Sequence, residues 1–153
     1  MITEGQKAEG FVLRDQDGTM VSLSDYAGKR VVLYFYPKDD TPGCTIEGVE
    51  FSRLKEEFSN HNTVILGISK DTVESHKDFC NKHELSIRLL SDGSGDVLRA
   101  YDALREQKDN GKKSAGIVRS TVFIDENGTV RRHWKDVQPE GHARNVLEFI
   151  ASF

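Results

Sequence analysis

Six consecutive apolar residues, Val31-Val-Leu-Tyr-Phe-Tyr36, run directly into Pro37-Lys-Asp-Asp-Thr41-Pro-Gly-Cys44. A half-exposed strand alternates apolar and polar side chains, whereas a strand apolar at every position is covered on both faces. The run therefore predicts a central strand of an α/β sheet. Thr63-Val-Ile-Leu-Gly-Ile68 predicts a second buried strand.

The segment after the first strand is equally constraining. Thr41 stands where a helix N-cap belongs, and Pro42 occupies the first helical position. Cys44 then falls in the first helical turn, where free backbone N–H groups and the positive end of the helix dipole stabilise an anion. A thiol there is favoured as thiolate, the nucleophilic form. Glu47, Phe51, Leu54 and Phe58 continue at helical spacing, and Gly48 weakens that helix by about 1 kcal/mol relative to alanine.

Elsewhere, Phe11–Leu13 and Met20–Leu23 predict an N-terminal hairpin around Asp15–Gly18, followed by one helical turn at Ser24–Gly28. Asp71 with Glu74 reads as a capping box opening a helix that runs to about His83 and carries Cys80. A short strand at Arg88–Leu90 precedes a short helix ending near Tyr101, and the polar residues 102–116 read as a surface loop. Ser120–Ile124 and Thr129–Trp134 pair across Asp125–Gly128, and Pro139 begins a last helix striped by Ala143, Val146, Leu147 and Ile150. The order ββ, βα, βα, βα, ββ, α predicts an α/β fold in one domain spanning 1–153. Its mixed central sheet is flanked by helices, carries an N-terminal β-hairpin and has a thioredoxin-like architecture.

The totals exclude several classes. A chain of 153 residues, 37% hydrophobic and 30% charged, reads as a globular domain that needs no disulfide or metal staple. A net charge of −4, with no Lys/Arg run longer than two, argues against nucleic acid as a partner. No stretch approaches the ~20 apolar residues of a membrane span. The N-terminus lacks the apolar run of a signal peptide, so the expected compartment is the cytoplasm. Structural disulfides are rare there, and Cys44 and Cys80 read as free, buried or redox-active. His61, His76, His83, His133 and His142 do not share metal-ligand spacing with the cysteines, and His76 and His83 read as solvated. With no Cys-x-x-Cys, a thioredoxin-type reductase is not expected despite the similar fold. With no glycine-rich phosphate loop either, neither metal nor cofactor is expected.

Pro37-x-x-x-Thr41-x-x-Cys44-x-x-Glu47 resembles the active-site signature of the peroxiredoxins. The stretch Tyr34–Thr45 is similar to the version carried by the peroxiredoxin Q group, the bacterioferritin comigratory proteins. Gln16–Gly18, Leu23–Asp25, Gly116–Thr121 and Gly141–Ala143 resemble segments of that group in the same order, so the resemblance covers nearly the whole chain. It implies that Cys44 is the peroxidatic thiolate and that Thr41 offers its hydroxyl to thiolate and substrate. Pro37 would shield the pocket from water, and Arg119 would favour the thiolate and orient the peroxide. Each residue has a plainer reading: Cys44 as a small buried hydrophobe, Thr41 as an N-cap, Arg119 as a surface ion-pair partner, Glu47 as a solvated helix residue.

Many members of the group carry a second cysteine five positions after the first, where this chain has Val49. Cys80 lies 36 residues after Cys44 (80 minus 44) and resembles the resolving cysteine of a second variant. It also shares a helical stripe with Val73, so core packing is the competing reading. The chain departs from the group at Ala8-Glu9-Gly10, where a proline is usual, and in the absence of aromatic residues over 102–114. The resemblance implies a monomeric peroxidase for hydrogen peroxide and alkyl hydroperoxides, re-reduced by thioredoxin or a similar dithiol protein. Two alternatives stand beside it: a one-cysteine peroxidase resolved by an external thiol, and a thioredoxin-fold redox sensor or binding module.

Overall fold

A computed structural model describes residues 2–109 and 111–153, with backbone alone at 107–109 and 112–115. The strands are β1 (Val12–Arg14), β2 (Met20–Ser22), β3 (Arg30–Phe35), β4 (Thr63–Ser69), β5 (Arg88–Ser91), β6 (Leu104–Asp109), β7 (Lys112–Ile117), β8 (Ser120–Ile124) and β9 (Val130–Trp134). The helices are α1 (Pro42–Asn60), α2 (Val73–His83), α3 (Asp96–Ala100) and α4 (His142–Ser152). Seven strands form one sheet in the order β2-β1-β5-β4-β3-β8-β9. β3, β4 and β5 run parallel, and the pairs toward each edge are antiparallel.

The continuous apolar run of β3 divides between the two faces as its pleat requires. Val32, Tyr34 and the following Tyr36 face a core built with α1, α2 and α4, through Phe51, Phe58, Phe79, Val146 and Ile150. Val31, Leu33 and Phe35 face a second core with Leu98 of α3, Tyr101 and the N-terminal Phe11 and Val21. Both cysteines belong to the first core. Among the described residues, no helix is long and apolar enough to cross a membrane.

Four sequence expectations change. The segment 102–116 is largely a separate two-stranded ribbon, β6 against β7, with Leu104 opposite Ile117. It stands outside the main sheet, so burial has not written an apolar alternation into it. The cap of α2 is Thr72, whose hydroxyl accepts from Ser75 N, while the Asp71 carboxylate turns back to the loop after β3. α4 begins at His142 rather than Pro139, and Glu50 of α1 accepts from Gly141 N just ahead of it. His76 is fully buried, not solvated.

Candidate active site

Cys44 is the third residue of α1, and its side chain is buried at the base of the loop 37–41. Thr41 occupies the N-cap position and Pro42 follows it, as expected. The Thr41 hydroxyl does not cap the helix, however; it donates to Lys38 O at 2.8 Å. The cap is left to backbone geometry and to Pro42, whose missing N–H removes one orphan donor. The N–H groups of Gly43 and Cys44 have no intrahelical partner and so remain available to an anion. Pro37 is exposed and follows Tyr36, the residue just beyond the end of β3.

Arg119 reaches Cys44 from the short connection between β7 and β8. Its backbone carbonyl accepts from Val137 N at 2.9 Å, fixing the base of the side chain. Nη2 donates to Cys44 Sγ at 3.3 Å, and Nη1 donates to Glu47 Oε1 at 2.6 Å. One guanidinium fork thus holds the sulfur and a carboxylate one helical turn further on. Glu47 is completely buried, and its second oxygen, Oε2, has no hydrogen-bond partner among the described residues. Burial pushes the Glu47 carboxyl up to about 7, against the pull of Arg119. Burial alone would lower the Arg119 guanidinium, but Glu47 and the Cys44 sulfur hold it above its ordinary value.

Gly43 makes this approach possible. A Cβ on Gly43 would stand 3.0 Å from Arg119 Nη2 and 3.1 Å from Pro139 Cγ. Pro139 therefore packs against the start of α1 instead of opening α4. Behind Arg119, His142 Nε2 meets Thr121 Oγ1 at 2.7 Å, and burial, aided by the Arg119 charge, lowers the imidazole to about 4. A neutral ring at this place adds no competing positive charge. A cleft of about 330 Å³ beside Arg119 is lined by Ile117, Val118, Val137 and Gln138. A cleft of about 340 Å³ near Asp15 and Arg88 has neither cysteine in its lining.

Cys80 lies in α2, buried and free, as Cys44 is in α1. Burial first, then the charges of Asp39, Asp17 and Asp15, push its thiol up to about 12. Tyr34 lies between these regions: after its own burial, the charges of Glu47, Cys80 and Cys44 raise its hydroxyl well above the ordinary value. Gly48 of α1 also has a packing reason, since a Cβ there would meet Leu85 Cδ1 at 3.1 Å.

A further cluster escaped the sequence reading. Asp39, Asp71 and His76 bring three oxygen and nitrogen atoms within 4.8 Å of one another. These atoms are already engaged: Asp39 Oδ2 accepts from Ser75 Oγ and faces His76 Nδ1, and Asp71 Oδ2 accepts from Asp39 N and Ser69 Oγ. No spacing rule announces such a site, because Asp39 comes from the loop after β3, and Asp71 and His76 from the start of α2 and the residues just ahead of it.

The AhpC/TSA family matches residues 4–133. A putative peroxiredoxin Bcp of Coxiella burnetii is 44% identical over 146 residues, covering 95% of this chain and 97% of that protein. A peroxiredoxin Q cysteine-to-serine variant of Xylella fastidiosa superposes with a TM-score of 0.93 at 35% identity, covering 99% of this chain and 97% of that one. The bacterioferritin comigratory protein of Xanthomonas campestris, described for alkyl peroxide reduction activity, gives a TM-score of 0.89 at 40% identity, covering 93% and 90% of the two chains. The X. campestris peroxiredoxin Q is also known as serine variants at two cysteines 36 positions apart. The chain belongs to the AhpC/TSA family and, within it, to the Bcp/Q group of peroxiredoxins. Its fold is thioredoxin-like and its chemistry is thiol-dependent peroxide reduction.

Proposed function

We propose that Cys44 is the peroxidatic residue and Cys80 the resolving one, in a monomeric cytoplasmic enzyme that reduces hydrogen peroxide and alkyl hydroperoxides. The observation that carries this reading is the Arg119 fork, with one arm on Cys44 Sγ and the other on Glu47. The Cys44 thiolate attacks the outer oxygen of the peroxide, forming an S–O bond as the O–O bond breaks. The departing alkoxide or hydroxide takes a proton and leaves as alcohol or water. Arg119 and the free N–H groups of the first turn of α1 stabilise the charge moving along the S–O–O axis. Thr41 turns its hydroxyl from Lys38 O toward the peroxide, and Pro37 limits water at the pocket.

The Cys44 sulfenic acid then condenses with the Cys80 thiol, forming a disulfide and releasing water. The two cysteines lie in separate helices and are unbonded in the reduced protein. A disulfide needs Cα atoms within ~7 Å, so the first turn of α1, part of α2, or both unwind. The resulting bridge is exposed and readily reduced by thioredoxin or a similar dithiol protein. The equal spacing of the two substituted cysteines in the X. campestris protein supports the pairing.

The test is intact mass spectrometry of reduced protein after one equivalent of hydrogen peroxide and thiol blocking. Loss of two hydrogens with both cysteines protected is the expected result. Oxygen added at Cys44 with Cys80 still alkylated would replace it with a one-cysteine enzyme or sensor.

A further inference from the structure

We propose that Asp39 and Asp40 are positioning residues for the resolving step: a two-point latch between the Cys44 loop and α2 that governs how soon Cys80 reaches the sulfenic acid. The proposal rests on the reading of Cys80 as the resolving cysteine. Its basis is a set of contacts that bracket Cys80 along α2.

The first point lies ahead of Cys80. Asp39 is buried, and its Oδ2 accepts from Ser75 Oγ at 2.8 Å and meets His76 Nδ1 at 2.7 Å. Its Oδ1 accepts from Tyr36 OH at 2.6 Å, and its backbone N–H donates to Asp71 Oδ2 at 2.9 Å. His76 Nε2 faces Leu90 O at 3.0 Å, so that nitrogen carries a hydrogen and the ring is held at both ends. The second point lies just past Cys80. Asp40 Oδ2 pairs with Lys82 Nζ and Oδ1 with His83 Nε2, each at 2.7 Å. Asp40 does this from a left-handed backbone conformation, φ 61°, which aspartate tolerates better than most side chains.

The loop that supplies both aspartates leads straight into Cys44. Unwinding α2 at Cys80 must break these contacts, and unwinding the first turn of α1 must drag on them. Either route to the disulfide therefore passes through the latch. Neither aspartate contacts Cys44 in the hydrogen-bond network, where the sulfur's charged partner is Arg119. Loosening the latch should leave peroxide attack unchanged and speed the condensation of Cys44 sulfenic acid with Cys80 thiol, which releases water. Because a second peroxide competes for the sulfenic acid and carries it to sulfinic acid, the latch also sets resistance to overoxidation.

The experiment measures the two steps separately, by rapid mixing with peroxide, acid quench, thiol blocking and intact mass. The proteins are wild type, Asp40→Asn, His83→Gln and the double variant. In Asp40→Asn, sulfenic acid formation should match wild type, and disulfide formation should rise about twofold to fivefold, the range of an exposed ion pair. The peroxide concentration giving half overoxidation should rise with it. The double variant should show less than the product of the single effects, because the two side chains share one contact. An unchanged or slower disulfide step, or both steps changing together, overturns the latch while leaving Cys80 as the resolving residue. Absence of the Cys44–Cys80 disulfide in wild type overturns both. If Asp40→Asn alters the thermal transition, His83→Gln alone carries the comparison, provided its own transition is unchanged, since the partly exposed His83 ring meets the core only edge-on at Phe79.

Discussion

Gly43 leaves Arg119 its place beside the sulfur: a Cβ added at Gly43 would stand 3.0 Å from Nη2, the nitrogen that donates to Cys44 Sγ, and the guanidinium would have to give way. Cys44, Gly43 and the Arg119 guanidinium form one packed unit. Gly43→Ala should push the flexible end of Arg119 away from the sulfur while Pro139, 3.1 Å off on the other side, blocks the opposite adjustment. A stretched charged hydrogen bond of this kind costs roughly tenfold in rate. The expected result is about tenfold slower sulfenic acid formation in stopped-flow measurements, with little change in thermal stability. A rate within about twofold of wild type would show that the guanidinium absorbs the shift.

Arg119→Lys tests the fork itself. Lysine keeps the charge but concentrates it on one nitrogen, which cannot serve Cys44 and Glu47 in the planar two-armed geometry seen here. Loss of a preorganised donor at a reacting centre costs on the order of a hundredfold or more. We expect kcat/KM for hydrogen peroxide to fall by about that much, with the fold intact by circular dichroism. Equal activity would reduce Arg119 to a simple positive charge.

The parts of this site legible in the sequence are those whose physics is local. The continuous apolar run of β3, the Thr41-Pro42 helix start and the place of Cys44 in the first turn all follow from neighbours in the chain. Arg119 entered through resemblance, since nothing nearby says that a residue ahead of β8 reaches α1. The contact of Asp39 with His76 leaves no local trace for the same reason, and a solvated His76 is the natural expectation because a polar residue at helical spacing gives no sign of a buried partner. The β6–β7 ribbon is hard to read because it lies outside the main sheet and meets the second core only at one end, through Leu104 and Ile117; the Asn110-Gly111 dipeptide is its hairpin signal in the sequence. Asp71 and Thr72 are both good capping residues, so the sequence does not separate them, and only tertiary contacts give the cap to Thr72.

Glu47 gives a pH-dependent prediction. Its carboxyl is raised from 4.5 to about 7, first by burial, with Arg119 opposing. A raised folded-state value means that folding takes up a proton across this window. The associated stability is fully present below 4.5 and is lost as pH rises through about 7. The total is on the order of 3 kcal/mol. Glu47→Gln keeps a hydrogen-bond acceptor for Arg119 without titrating. Denaturant unfolding should therefore show wild type losing stability over this interval relative to the variant, and the two curves running parallel above it. Parallel curves throughout would mean that Glu47 is already ionised across the whole range.

Cys80 supplies a test of how a thiol with the resolving role proposed above becomes available. In the folded protein its thiol is pushed up to about 12, chiefly by burial and then by Asp39, Asp17 and Asp15, so the closed state holds almost no thiolate at neutral pH. An unwound α2 would restore the ordinary thiol value of about 8.5. The two routes differ in their response to mild denaturant at neutral pH. Reaction inside the closed helix would not respond to it, whereas reaction through an open state accelerates because opening exposes buried surface. With iodoacetamide and a Cys44→Ser variant, which leaves Cys80 as the single thiol, we expect slow labelling that speeds up with urea well below the unfolding transition. The ratio of the native rate to that of the fully unfolded chain at the same neutral pH then gives the fraction of time α2 is open. A native rate that ignores urea would show that Cys80 reacts from within the helix, and the unwinding step would no longer be needed.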